Sequence, residues 1–139
     1  MEPKVTWKHR LSFTGSNQSG FSVPLGTDPS IGGDNDGFRP MELIAIGLAG
    51  CTAMDTISIL QKKRQDITAF EVVVHTQRAE EHPKVFTHIV LEYIIEGRQV
   101  EPAAVERAIE LSATKYCPAQ AMLDKAVNIE HKYQITEAT

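Results

Sequence analysis

Apolar spacing changes several times along this chain, and each change marks an element. Val5 to Phe13 has the pattern of a strand, and Gly20 to Leu25 that of a second. Between them, Thr14-Gly15-Ser16-Asn17-Gln18-Ser19-Gly20 is a turn-rich linker of the hairpin kind. Gly26 to Gly37 is crowded with Gly and Asp and reads as a surface loop. A long helix is expected from Pro40 to about Lys62. Proline suits its first turn, Glu42 complements the positive end of the helix dipole, and basic residues follow at the far end. Its apolar residues lie almost all round through Ile57, so the first half is expected to be covered on several sides. Gly47 and Gly50 lower helix propensity by about 1 kcal/mol each against alanine, which suggests close approach of another backbone.

Two strands follow, Phe70 to Arg78 and Val85 to Glu96. In the second, Val85, Thr87, Ile89, Leu91, Tyr93 and Ile95 share a face. Glu101-Pro102 opens another helix, with Ala104, Val105, Ala108, Ile109 and Leu111 as its apolar stripe, ending near Tyr116. A short helix over Ala119 to Lys125 and a strand over Ile129 to Thr136 complete the order. Hairpin-joined strands with helices between the pairs predict an α+β fold with a mainly antiparallel sheet. The 139 residues fit one domain, with no internal repeat and no linker long enough for a second.

Composition adds exclusions. At 42% apolar and 23% charged the chain is an ordinary globule that folds without staples. The formal net charge is −4 and the basic residues are scattered, which argues against nucleic acid as a partner. The N-terminus has no apolar signal region, and Glu42, Asp55 and Ser58 interrupt the long apolar run, which argues against a membrane span. A reducing cytoplasm is the expected location. The glycines of 26–37 lack phosphate-loop spacing, and no serine stands in Gly-x-Ser-x-Gly. His75, His82, His88 and His131 share no ligand spacing on one element, so no metal and no cofactor are expected.

What remains is thiol chemistry. Cys51 lies in the apolar run Leu43–Met54, where a cysteine can be simply a small buried hydrophobe. As a thiolate it needs a nearby cation. Arg39, with Glu42 to hold it, and Arg10 from the first strand are the candidates; the alternative is that both arginines are solvated and Glu42 serves only the helix start. Cys117, followed by Pro118, occupies a plausible N-cap, where backbone N–H groups lower a thiol's pKa. By local electrostatics Cys117 is the better thiolate; the alternative is a buried filler in a turn. Asp55 stands one helical turn after Cys51, and its role is open.

Two segments together carry a resemblance. Pro40-Met41-Glu42-Leu43 with Leu48-Ala49-Gly50-Cys51-Thr52-Ala53-Met54-Asp55 resembles the cysteine-helix motif of the OsmC/Ohr family. Ala108-Ile109-Glu110-Leu111-Ser112 with Lys115-Tyr116-Cys117-Pro118-Ala119 resembles its second-cysteine motif. The order of elements matches over nearly the whole chain. The resemblance implies an intertwined homodimer, its antiparallel sheets wrapped about two long helices, with sites at the subunit interface. It implies a thiol-dependent peroxidase acting on organic hydroperoxides, with Cys51 peroxidatic and Cys117 resolving, which reverses the electrostatic ranking. A small apolar hydroperoxide and a dithiol reductant are the implied partners. One departure points to the less characterised OsmC-like branch. The helix-start glutamate of the best-studied peroxidases lies ten positions before the cysteine; here that position is Met41, and Glu42 lies nine before. One residue turns a helical side chain by about 100°. The competing expectation is a non-enzymatic protein of the same fold that binds a small apolar ligand or senses oxidation.

Overall fold

The computed structural model describes residues 1–139 and groups them into two compact units, Met1–Ala45 and Ile46–Thr139. In the first unit, β1 (Lys4–His9), β2 (Ser12–Ser16) and β3 (Ser22–Leu25) form an antiparallel sheet in that order. The expected first strand is therefore two. Arg10 adopts φ 45°, and the chain reverses there to pair Trp7 with Phe13. The sequence hid this turn because it has neither glycine nor asparagine at the left-handed position. The loop after β3 contains a single 3-10 turn, Pro29–Ile31, capped by the Asp28 side chain, which accepts from Ser30 N–H at 2.8 Å. Gly33 is needed there, since a Cβ would lie 2.2 Å from the Thr27 carbonyl oxygen.

Helix α1 runs from Pro40 to Lys62, as the sequence predicts. Its start is fixed by Glu42, whose Oε1 accepts the Arg39 main-chain N–H at 2.8 Å, the return half of a capping box. Its burial differs from expectation. Only Leu48, Thr52, Thr56 and Leu60 are buried, a stripe at four-residue spacing, while Ile44, Ile46 and Met54 are exposed, Met54 by 74%. A Cβ on Gly47 or Gly50 would meet nothing within 4 Å, so neither glycine admits a second backbone of this chain. By length and composition α1 could cross a membrane, contrary to the expectation drawn from its polar interruptions. Two of its four buried residues are threonines, and Thr52 is hydrogen-bonded into the protein interior.

The second unit holds β4 (Asp66–Arg78), β5 (Phe86–Arg98) and β6 (Asn128–Glu137), with α2 (Pro102–Leu111) and α3 (Pro118–Leu123) between the last two. β4 pairs antiparallel with β5, and β6 pairs parallel with β5, Tyr93 lying opposite Tyr133. The parallel pair departs from a purely antiparallel sheet and is possible because the α2–α3 crossover returns the chain to the starting edge. The α+β class stands. Along β5 the period of two puts Ile89, Leu91, Tyr93 and Ile95 wholly inside, each stabilising by about 1.5–3 kcal/mol. Val85 and Thr87, expected on that face, are exposed: Val85 precedes the strand, and a register shift that pairs Gln77 with His88 and Arg78 with Phe86 leaves Thr87 unpaired and turns Phe86 inward instead. Ala104, Val105, Ala108 and Ile109 form the buried stripe of α2. Ordinary helical geometry ends at Leu111; a wider π turn follows over Ser112–Tyr116, closed by the Cys117 N–H donating to the Ser112 carbonyl at 2.9 Å.

Candidate active site

The fold brings the two cysteines together. Cys51, in α1, and Cys117, after the π turn, are free thiols. With one carboxylate oxygen of Asp55, their sulfurs form a cluster whose three atoms all lie within 4.8 Å of one another. Asp55 joins it because four residues is just over one helical turn, so Cys51 and Asp55 share a face. Cys117 joins because the π turn ends on it: Pro118 opens α3, and Cys117 is its N-cap, with Sγ accepting the Gln120 N–H at 3.3 Å.

The N-cap expected for Cys117 is present, but the low pKa expected from it is not. Burial pushes the Cys117 thiol up to about 11, the neighbouring Cys51 sulfur and the Asp55 carboxylate push the same way, and the Gln120 N–H only partly offsets them. One backbone donor does not outweigh loss of water around a residue that is only 2% exposed. The electrostatic ranking that favoured Cys117 as thiolate is therefore overturned. Cys117 is held protonated by burial, and Cys51, less buried, faces it.

Behind the thiols lies a line of polar groups that the sequence reading passed over. Ser112 Oγ donates to Asp55 Oδ2 at 3.0 Å and meets Thr52 Oγ1 at 2.9 Å. Thr52 Oγ1 meets Tyr93 Oη at 2.9 Å, and Tyr93 Oη meets His131 Nδ1 at 2.9 Å. Burial raises Tyr93 to about 12 and lowers His131 below its usual value, so both are neutral near pH 7. The available signal was positional: Thr52 and Asp55 flank the cysteine on one helix, and Tyr93 sits at a core position of β5.

The buried imidazole makes stability depend on pH. His131 has a depressed folded pKa, so as pH falls the unfolded chain takes up this proton first. Its contribution is complete above about 6.5, the unfolded value, and is lost as pH falls from there through the folded pKa. His131→Asn, which keeps a donor for Tyr93, is expected to lose less stability than wild type between pH 8 and pH 5. Urea midpoints at each pH check this, and parallel pH profiles would refute it.

The other expected site residues lie in the first unit. Arg10, at the β1–β2 turn, forms an ion pair with Asp34, which also meets His9 Nδ1 at 3.2 Å. The Arg39 guanidinium donates to the Gly37 carbonyl at 3.2 Å. Glu42 thus holds the Arg39 main chain and forms no ion pair with its guanidinium, contrary to the carboxylate–arginine arrangement considered above.

Two groups of side chains have donors spaced for a metal ion: Cys51, Asp55 and Cys117, and the exposed set His9, Asp34 and Asp36. A search for histidine spacings alone misses the first. In the second, Asp36 is already engaged by Ser12 Oγ at 2.7 and 2.8 Å, a bond that lowers its pKa.

The family model described as OsmC-like protein matches residues 33–132, most of the chain and both cysteine segments. The chain belongs to the OsmC-like family. It is 44% identical over 138 residues to Protein YhfA of Escherichia coli K12, covering 99% of this chain and 100% of that one. The solved OsmC like protein from Mycoplasma pneumoniae superposes with a TM-score of 0.83 at 18% identity, covering 97% and 96% of the two chains. An organic hydroperoxide resistance protein OsmC from Legionella pneumophila superposes with a TM-score of 0.71 at 13% identity, covering 96% and 97%. These two likenesses establish the shared fold.

Proposed function

We propose that this OsmC-like protein is a thiol-dependent peroxidase that reduces organic hydroperoxides through Cys51 and Cys117. The observation that carries the reading is the pairing of two free thiols in one cluster, one of them held protonated by burial. The Cys51 thiolate attacks the peroxide O–O bond; the sulfur takes one oxygen as sulfenic acid and the alkoxide leaves as alcohol. The Cys117 sulfur then attacks the Cys51 sulfur, a disulfide forms, and the hydroxyl departs as water. A dithiol reductant returns both cysteines to thiols and is itself oxidised to a disulfide. Apolar neighbours such as Leu48 suit an alkyl hydroperoxide better than hydrogen peroxide. Anaerobic titration of the reduced protein with an alkyl hydroperoxide, followed by mass analysis of both cysteines, tests the reading. One equivalent should yield the Cys51–Cys117 disulfide, and two unreacted thiols would refute it. A pair of free thiols also suits a reducing, cytoplasmic location.

A non-enzymatic ligand-binding or redox-sensing role is the second reading. It is favoured by the arginines: Arg10 is paired with Asp34 and Arg39 with a main-chain carbonyl, so both have partners other than a thiolate. Failure to consume hydroperoxide in the presence of a dithiol would bring it forward.

The proposal includes a homodimer. Ile46 and Met54 leave one side of α1 apolar and exposed. In the first unit, Val5, Phe21, Val23, Leu25 and Leu43 line an apolar groove of about 560 Å³. A second copy would cover such surfaces in an interface above about 2,000 Å², as obligate dimers do. Wild type should sediment as a dimer at micromolar concentration, and Ile46→Glu with Met54→Glu should shift it to monomer. A folded wild-type monomer under those conditions would refute the dimer.

A further inference from the structure

The hydrogens of the buried polar line can be counted, and the count gives it a direction. Each hydroxyl has one hydrogen. Ser112 donates to Asp55 Oδ2, so in its contact with Thr52 it accepts and Thr52 donates. The Thr52 hydrogen is then in use, so Tyr93 donates to Thr52. The Tyr93 hydrogen is in use in turn, so His131 Nδ1 must carry the ring hydrogen and donate to Tyr93. This leaves His131 Nε2 as a bare lone pair, and Nε2 is indeed buried without a partner. A buried orphan acceptor is better tolerated than an orphan N–H. Four hydrogen bonds thus run one way, from His131 through Tyr93, Thr52 and Ser112, and end on the carboxylate beside the two sulfurs.

We propose that Asp55 is the proton acceptor for the Cys117 thiol when Cys117 attacks a Cys51 sulfur that bears a leaving group. Such an attack needs a thiolate, and a buried thiol does not supply one unaided. One oxygen of Asp55 lies within 4.8 Å of both sulfurs, a gap that one water or a small rotation closes. Ser112 occupies only Oδ2, and donation into that oxygen holds the carboxylate in place while leaving lone pairs for the proton. The step balances. The S–H bond of Cys117 breaks, its proton goes to Asp55, the S–S bond forms, and the leaving group departs with its electron pair. In the peroxidase cycle the leaving group is hydroxide from the Cys51 sulfenic acid, and Asp55 returns the proton to it as water. That application rests on the peroxidase reading; the role of Asp55 toward Cys117 does not.

The experiment separates the two. The reduced protein is treated with an aromatic disulfide, which places an aryl thiol on Cys51, and release of the second aryl thiol reports attack by Cys117. In Asp55→Asn that release should be slower by about 10²-fold at pH 7, the usual size of a lost general base. It should also rise about tenfold per pH unit up to pH 9, as hydroxide replaces the missing carboxylate, while wild type changes less. Asp55→Glu should recover most of the rate. A merely structural role would not change the pH slope. Equal release from wild type and Asp55→Asn would overturn the proposal. So would finding His131 of the reduced wild type as the Nε2–H tautomer by nitrogen NMR, since the line would then not end on a charged Asp55. Parallel treatment with an alkyl hydroperoxide tests the peroxidase reading alone: silence there, with slow release in Asp55→Asn, would refute that reading and leave this one standing.

Discussion

Cys51→Ser is expected to reduce hydroperoxide consumption to the uncatalysed background, whereas Cys117→Ser should leave the first oxidation intact and stop the cycle after it. The asymmetry follows from burial. Burial holds the Cys117 thiol protonated at pH 7. Cys117 is therefore a poor first nucleophile and a reasonable second one, since it need react only with a partner sulfur already beside it. In Cys117→Ser the Cys51 sulfenic acid has no thiol to condense with and should progress to sulfinic acid as more hydroperoxide is added. Mass analysis after one and after ten equivalents distinguishes the states. Sulfenic acid at Cys117 in the Cys51→Ser protein would show that the second thiol is the true peroxidatic one, and that burial had been given too much weight.

Elements set by local pattern were legible in the sequence. The Pro40–Lys62 helix has its proline, its acidic first turn and its basic end, and its bounds match. The buried faces of β5 and α2 follow from periods of two and of three to four. The β1–β2 turn was not legible, because Arg10 takes a left-handed conformation that nothing in its residue type advertises. Nor was the parallel partner of β5, since strand direction depends on where a crossover returns. The exposed side of α1 was misread for a different reason. Apolar residues all round a helix show that every side needs cover, but not that this chain supplies it.

At the site, the two cysteines could be picked out one by one, and the resemblance joined them. Their ranking could not be read locally. An N-cap and its donor are visible in Cys117-Pro118, but burial, which outweighs them, is a property of the packed fold. The line from Asp55 to His131 was hidden for a related reason. Its members lie on α1, β5, β6 and the π turn, and residues such as Thr52 and Tyr93 read as ordinary core until their oxygens are seen to meet.

Thr52→Val should lower stability by about 1–3 kcal/mol, although valine matches threonine closely in shape. The cost lies in the hydrogens. Without the Thr52 hydroxyl, Tyr93 Oη–H loses its acceptor. It can turn to His131 Nδ1 only if the imidazole moves its hydrogen to Nε2, and that N–H is then buried with nothing to receive it. Either way one interior donor is orphaned, and an orphaned donor carries its full desolvation penalty. Thr52→Ser keeps the hydroxyl and should lose only about 0.8 kcal/mol for its missing methyl group. Tyr93→Phe combined with Thr52→Val removes both the donor and its acceptor, so the pair should cost less than the sum of the two single changes. Urea unfolding of wild type, the three single variants and the double variant measures each value. Thr52→Val within about 0.5 kcal/mol of wild type, the ordinary range of inconsequential surface changes, would mean that water or a shifted side chain repairs the line, and that its direction does not constrain the fold.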